Sequence, residues 1–141
     1  MRIEKIETIR VNIPFEAPIL WSQGYRNSTT RTLVKVYTDE GITGIGETRG
    51  DNGIEEMIKE MAKKLIGEDP FNIETILEKF HMKAYFHGYF GLSAVAGIEI
   101  ALWDIIAKKA DKPLCELIGG MYRKEVPFSG YIFFRLKDEE T

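Results

Sequence analysis

The segment SAVAGIEIALWDIIAKKADKPLCELIGG (residues 93–120) is apolar on nearly every side of a helix and rich in Ala and Gly. That composition marks a central helix against which other elements pack closely on several sides. The helix reaches back to Gly91, with Ser93 as its candidate cap and Asp111 near its end. Pro113 then starts a short helical turn, and Gly119-Gly120 stops it.

Working outward, residues 54–65 read as a helix with Asp51 or Asn52 as N-cap and Gly67 as its stop. Asp69-Pro70 opens another, with proline in the first turn and Ile73, Ile76, Leu77 and Phe80 at helical spacing. Ahead of these, Ile3, Ile6, Ile9, Val11 and Ile13 alternate as in a strand, with one irregularity at Glu4-Lys5. Residues 14–30 have no consistent period and read as a long loop, a feature that is usually functional or disordered. RTLVKVYTDEGITGIGET (31–48) is a hairpin whose turn is Asp39-Glu40-Gly41, where Gly41 takes positive φ. Strands followed by helices define an α+β class, a three-stranded antiparallel meander followed by a three-helix bundle. The chain ends in VPFSGYIFFRLKDEET (126–141), whose apolar part reads as a buried strand in need of a neighbour.

A chain of 141 residues fits one domain and buries roughly 70% of its unfolded surface, so it needs no metal or disulfide staples. Nineteen basic against 22 acidic residues, interspersed, give a net charge of -3 and no basic stripe, which argues against nucleic acid as a partner. The single Cys115 fits a reducing compartment. The N-terminus lacks the apolar core of a signal peptide, and no apolar run approaches the roughly 20 residues that span a bilayer. A soluble cytoplasmic protein is expected.

Three motifs argue against themselves. GITGIGETRG has glycines at 44, 46 and 50, without the third offset of a dinucleotide fingerprint, and is better explained by glycines that permit close backbone approach. His81 and His87 are six residues apart, unlike the i, i+4 pair of a zinc helix. Glu99 and Asp104 suggest a catalytic pair, but they diverge by roughly 140° around the helix. Asp104 lies four residues before Lys108, so an ion pair or helix-to-loop tether is the better account.

Taken whole, Ala101-Leu102-Trp103-Asp104, Lys109, Pro113-Leu114 and Leu117-Ile118-Gly119-Gly120, together with the strands and GITGIGET, resemble the N-terminal capping domain of the mandelate racemase and muconate lactonizing enzyme family, part of the enolase superfamily. The resemblance divides the chain into an enolase-like cap (1–112), a linker (113–125) and the first strand of a TIM barrel otherwise missing from this chain (126–141). It implies that the cap's loops close over a carboxylate substrate while the barrel supplies a Lys-x-Lys or His-Asp base and the acidic ligands of a Mg²⁺ ion that stabilises an enediolate. No such barrel residues occur in these 141 residues, so the chain alone is expected to be inactive, with a metal site and catalytic base only in a longer parent.

The ending GYIFFRLKDEE is similar to glucarate dehydratase-like members, which implies an acid-sugar dehydratase, with racemase or cycloisomerase chemistry as the alternatives within the family. Tyr131 is then either a substrate contact or one more packed strand aromatic. In the first loop, Trp21, Tyr25, Arg26 and Asn27 are candidates for binding polyol hydroxyls or a carboxylate, the arginine through its bidentate fork. Thr48 and Arg49 in the second loop have the same standing, each set against an ordinary solvated or tethering role. The expected partners are the substrate, the barrel and further copies of the chain. A contrasting reading is a stand-alone binding or self-assembly module that pairs through its C-terminal strand.

Overall fold

A computed structural model describes residues 1–130 and shows β1 (Ile3–Trp21), β2 (Gly24–Thr38) and β3 (Thr43–Arg49) in one antiparallel sheet, ordered β1-β2-β3. Period two governs its burial. Thr32, Val34, Val36 and Thr38 face the helices and are buried, with Gly44, Gly46 and Thr48 beside them on β3. The irregularity at Glu4-Lys5 is a bulge: Ile3 pairs with Thr38, but Lys5 pairs with Tyr37. Gly41 turns the second hairpin with φ 76°, and Thr38 closes it, its Oγ1 donating to the Ile42 carbonyl at 2.9 Å.

Residues 14–30 are not the expected loop. They extend the first hairpin, with β1 running to Trp21, a turn at Ser22-Gln23, and pairs Ile19↔Arg26, Leu20↔Tyr25 and Trp21↔Gly24. Between Pro14↔Ser28 and Ile19↔Arg26, four residues of β1 oppose only Asn27. Pro14 and Pro18 have no N–H to donate to a ladder, which suits the edges of such a bulge. The alternation that reveals a strand was absent because residues 21–27 are exposed on both faces, so nothing there selects an apolar side.

Four helices follow. α1 (Asn52–Leu65) buries Ile54, Ile58, Met61 and Leu65, and α2 (Ile73–Phe86) buries Ile73, Ile76, Phe80 and Ala84, each a single helical stripe. α3 (Gly88–Ala110) packs on β2 and β3, α1 packs beside it on β1, α2 packs on α3, and α4 (Leu114–Leu117) follows Pro113. Three expectations about helix starts change. Asp51 sits at the N-cap of α1, but its carboxylate bonds Arg49 and caps no helix N–H. Asp69-Pro70 forms a separate turn, Asp69 Oδ1 accepting from Phe71 N at 3.0 Å, and α2 starts three residues after the proline. α3 starts at Gly88, so Ser93 is inside the helix and caps nothing.

The glycines of GITGIG do permit close approach. A Cβ on Gly44 would stand 2.0 Å from the Ala101 carbonyl oxygen, and one on Gly46 equally close to that of Gly97. α3 therefore meets β3 backbone to backbone. Asp104 is the tether anticipated over a catalytic pair: its Oδ2 accepts from Ile45 N at 2.8 Å and from Lys108 Nζ at 2.7 Å, while Lys108 also donates to the Thr43 carbonyl at 2.8 Å. These bonds occupy the outer edge of β3.

α3 has 23 residues and a mean hydropathy of 1.7 over its most apolar 18, so it is long and apolar enough to cross a membrane, contrary to the expectation that no run reaches that length. Half of its most apolar window is buried inside the fold, including Ala94, Ile98, Ala101, Leu102 and Ile105, and it packs on α1, α2, β2 and β3. It is the core helix of this domain. At the other end of the chain, residues 126–130 form no strand, with Val126 60% and Phe128 92% exposed. The rest of the expected terminal strand, Tyr131 included, lies outside the described residues.

Candidate functional site

The extended hairpin and the β3–α1 turn converge on one cleft of about 520 Å³, lined by Arg10, Arg26, Arg31, Arg49, Asp51 and Tyr89, with Ser28, Thr29, Thr30 and Gly50 between them. The sheet register brings two of the arginines together, since Arg31 pairs directly with Arg49 across β2 and β3; Arg10, opposite Thr32, stands on the helix-facing side and borders the cleft beside Asn52. Gly50 presses the turn onto β2, since a Cβ there would come within 2.5 Å of Thr30 Cγ2.

Arg49 is held from two sides. Its Nε donates to Asp51 Oδ2 at 3.0 Å, its Nη1 donates to the Tyr89 hydroxyl at 3.1 Å, and its guanidinium lies 5.0 Å from the Tyr89 ring centroid. Tyr89, then Asp51, raises its pKa above the ordinary arginine value. Arg10 donates to Asn52 Oδ1, and Arg31 Nε lies 3.4 Å from Glu47 Oε1. Arg26 stacks 5.8 Å from the Trp21 ring centroid and has no ion pair with a described residue. Four arginines line the cleft; Arg49 is paired with Asp51 and Arg31 with Glu47, which leaves Arg10 and Arg26 without an ion pair to a described residue, in a chain whose net charge is -3. The start of α1 adds the positive end of its dipole at Asp51-Asn52. Such a cleft attracts an anion.

Of the residues singled out in the sequence, Arg26 and Arg49 meet in this cleft, and Trp21 adjoins it through Arg26. Tyr25 lies on the hairpin tip opposite Leu20, and Asn27 faces the bulge. Thr48 is placed elsewhere: it is buried, and its hydroxyl donates to the Ser93 carbonyl at 2.8 Å, tying β3 to α3. Arg10, Arg31 and Tyr89 join the cleft without having been singled out. Arginines on two strands become neighbours only once register is known, and Tyr89 belongs to a turn of α3 ahead of where the helix was expected to start.

The described residues contain no group of three or more His, Cys, Asp or Glu side chains placed to hold a metal ion. The Mg²⁺ implied by the family therefore does not fit this part of the molecule.

The three-stranded sheet with helices on one face is the enolase-like N-terminal fold, and the chain matches the mandelate racemase / muconate lactonizing enzyme N-terminal domain over residues 4–119, so it belongs to that family. D-xylonate dehydratase of Haloferax volcanii is 41% identical over 97 residues, 67% of this chain and 24% of that protein. N-succinyl-L-Arg/Lys racemase of Bacillus cereus is 33% identical over 137 residues, 90% of this chain and 36% of that protein. An enolase of Pseudomonas fluorescens Pf0-1, solved with bound magnesium, potassium and tartrate, matches with a TM-score of 0.83 at 26% identity, covering 95% of this chain and 35% of its own. The chain thus spans about a quarter to a third of the length of these relatives.

Proposed function

We propose that this chain is the capping, substrate-selecting domain of a Mg²⁺-dependent enzyme that abstracts the proton α to a carboxylate, an acid-sugar dehydratase before a racemase or cycloisomerase. The observation that carries the reading is the arginine cleft, built where the hairpin and the β3–α1 turn meet. The relatives support an enzyme parent, because they are a dehydratase and a racemase, and the tartrate-bound enolase was solved with magnesium. In this reading the metal ligands and catalytic base belong to a barrel, and the cap contributes recognition.

The end of the domain that carries the cleft also carries exposed apolar side chains. Tyr85, Phe86, Tyr89 and Phe90 are 71%, 77%, 58% and 46% exposed, and Tyr89 lines the cleft itself. A patch of that kind marks a surface that another body covers, and in this reading the barrel covers it and closes the cleft from below. Substrate would then sit between guanidiniums above and the reacting centre beneath.

The test is turnover. The full-length protein, supplied with Mg²⁺ and a panel of aldonates and aldarates in deuterated water, is expected to exchange or eliminate the α-proton, and the 141-residue chain alone to do neither. Arg49→Ala in the full-length protein is expected to raise KM more than it lowers kcat. Robust turnover by the 141-residue chain, or an Arg49→Ala protein with unchanged KM for every substrate turned over, would overturn the reading.

A further inference from the structure

The apolar alternation of β1 points, in its second half, away from the helices. Opposite the helix-facing Val34 and Thr32 stand Thr8 and Arg10, both polar. Ile9, Val11 and Ile13 are therefore on the outer face of the sheet, where Ile9 pairs with Leu33 across the ladder and Ile45 lies diagonally from Leu33 on β3. The five aliphatic side chains form one stripe with Ile45 at its margin, and Ile9, Ile13 and Ile45 are 42%, 46% and 47% exposed. Apolar residues at every second position record a strand face that is covered. Among the described residues nothing covers this one, since α1 and α3 pack on the face that carries Val34 and Val36.

The charges around the stripe are of both signs and engaged within the chain. Lys5 donates to Glu7, Arg31 Nε lies 3.4 Å from Glu47 Oε1, and Lys35 Nζ rests 5.3 Å from the Tyr37 ring centroid. A face of one sign repels a copy of itself, whereas this one is close to balance. Its size also suits a copy. β2 has 15 residues and β3 has 7. At about 3.4 Å per residue and about 4.8 Å between strands, the outer face of the three strands extends over roughly 600 Å². That is the share of each partner at the lower bound for a specific interface, about 1,200 Å² in total. The barrel of the cap reading lies elsewhere, at the end of the domain where Tyr85, Phe86 and Tyr89 are exposed. We propose that a second copy of this chain covers the outer face, the two sheets stacking about a two-fold axis with Ile9, Val11, Ile13 and Leu33 at the centre. Such a contact is isologous, each copy offering the same patch to the other, and sheets stacked in this way lie about 10 Å apart with their side chains interdigitated. It does not depend on which reaction a longer parent runs.

The experiment is sedimentation equilibrium of the 141-residue chain carrying Tyr85→Ser and Phe86→Ser, two exposed substitutions that remove association through the barrel-facing end. This chain is expected to be a dimer at low-micromolar concentration. Adding Ile9→Lys and Ile13→Lys is expected to weaken the dimer about a hundredfold or more, because the two-fold brings like charges into the contact from both copies. Circular dichroism checks that the lysine variant is folded. Should it not be, Ile9→Thr with Ile13→Thr keeps strand-forming residues on the exposed face and is expected to weaken the dimer about tenfold. A Tyr85→Ser, Phe86→Ser chain that is monomeric at hundreds of micromolar would overturn the proposal, as would a folded lysine or threonine variant that dimerises as tightly as its parent. Either result leaves the cap reading untouched, since that reading is decided by turnover of the full-length protein.

Discussion

Replacing Asp104 by alanine removes the carboxylate that closes the outer edge of β3. Two bonds are lost at once, from Ile45 N and from Lys108 Nζ, and Lys108 loses the partner that aims it at the Thr43 carbonyl. A hydrogen bond to a charged group is worth about 1.5–3 kcal/mol. Asp104 is 32% exposed and Ile45 lies on an edge strand that water can reach, so the low end applies. The half-exposed i, i+4 ion pair adds about 0.3–0.5 kcal/mol, and the better helix propensity of alanine returns about 0.5 kcal/mol. The expected net loss is about 1.5 kcal/mol, a fall in Tm of roughly 5 °C for a chain of this size. Urea denaturation should show a lower midpoint with unchanged slope, and amide exchange should accelerate at Ile45 ahead of the inner strand β2. Asp104→Asn, which keeps an acceptor, should lose less. An alanine variant within about 0.3 kcal/mol of the parent, or unaltered exchange at Ile45, would refute the tether.

Three further outcomes are expected. Gly46→Ala places a methyl 2.0 Å from the Gly97 carbonyl oxygen, a clash with backbone that neither element can relieve, so the variant should lose its cooperative thermal transition. Thr32→Val should stabilise the domain by about 1 kcal/mol in urea denaturation, because the Thr32 hydroxyl is fully buried with no hydrogen-bond partner among the described residues and valine fills the same space. The Glu40 carboxyl is held below the ordinary carboxylate value by Lys109 and by the N-terminal ammonium 3.2 Å away. Its contribution to stability is therefore present above the ordinary value, near 4.5, and is lost as pH falls through the lowered one. Lys109→Gln should move the Glu40 titration upward, as read from its side-chain carboxyl carbon by NMR.

How much of this was legible in the sequence follows from which constraints are local. Ile54, Ile58, Met61 and Leu65 share one helical face, and that face is buried because burial selected it. Gly44 and Gly46 announced close approach since only a missing side chain allows it, although Ala101 and Gly97 could not be named as what approaches. The extended hairpin escaped notice for the opposite reason. Exposed on both faces, its tip leaves no apolar record, and Pro14 and Pro18 look like loop residues whether they border a loop or a bulge. Capping signals also misled where side chains had other partners, as at Asp51, which serves Arg49, and Ser93, whose carbonyl takes the Thr48 hydroxyl. The cleft was half visible. Arg26 and Arg49 stood in segments that looked irregular, but Arg10 and Arg31 lie in regular strand, and only the pairing of Arg31 with Arg49 and the seat of the β3–α1 turn beside Arg10 show that they border the same cleft.

The contact between α3 and β3 gives the cleft a fixed jaw and an adjustable one. Arg49 is rooted at the end of β3 and Tyr89 at the start of α3, and those two elements meet with no side chain between Gly46 and Gly97, so the pair keeps its spacing as long as the domain is folded. Arg26 stands on the other jaw, beyond a bulge where four residues oppose one and outside the buried core. Lengthening, shortening or re-facing that tip disturbs no core contact. A lineage can therefore rewrite the exposed residues 21–27 without touching the interior, while Arg49 and Tyr89 stay locked to it.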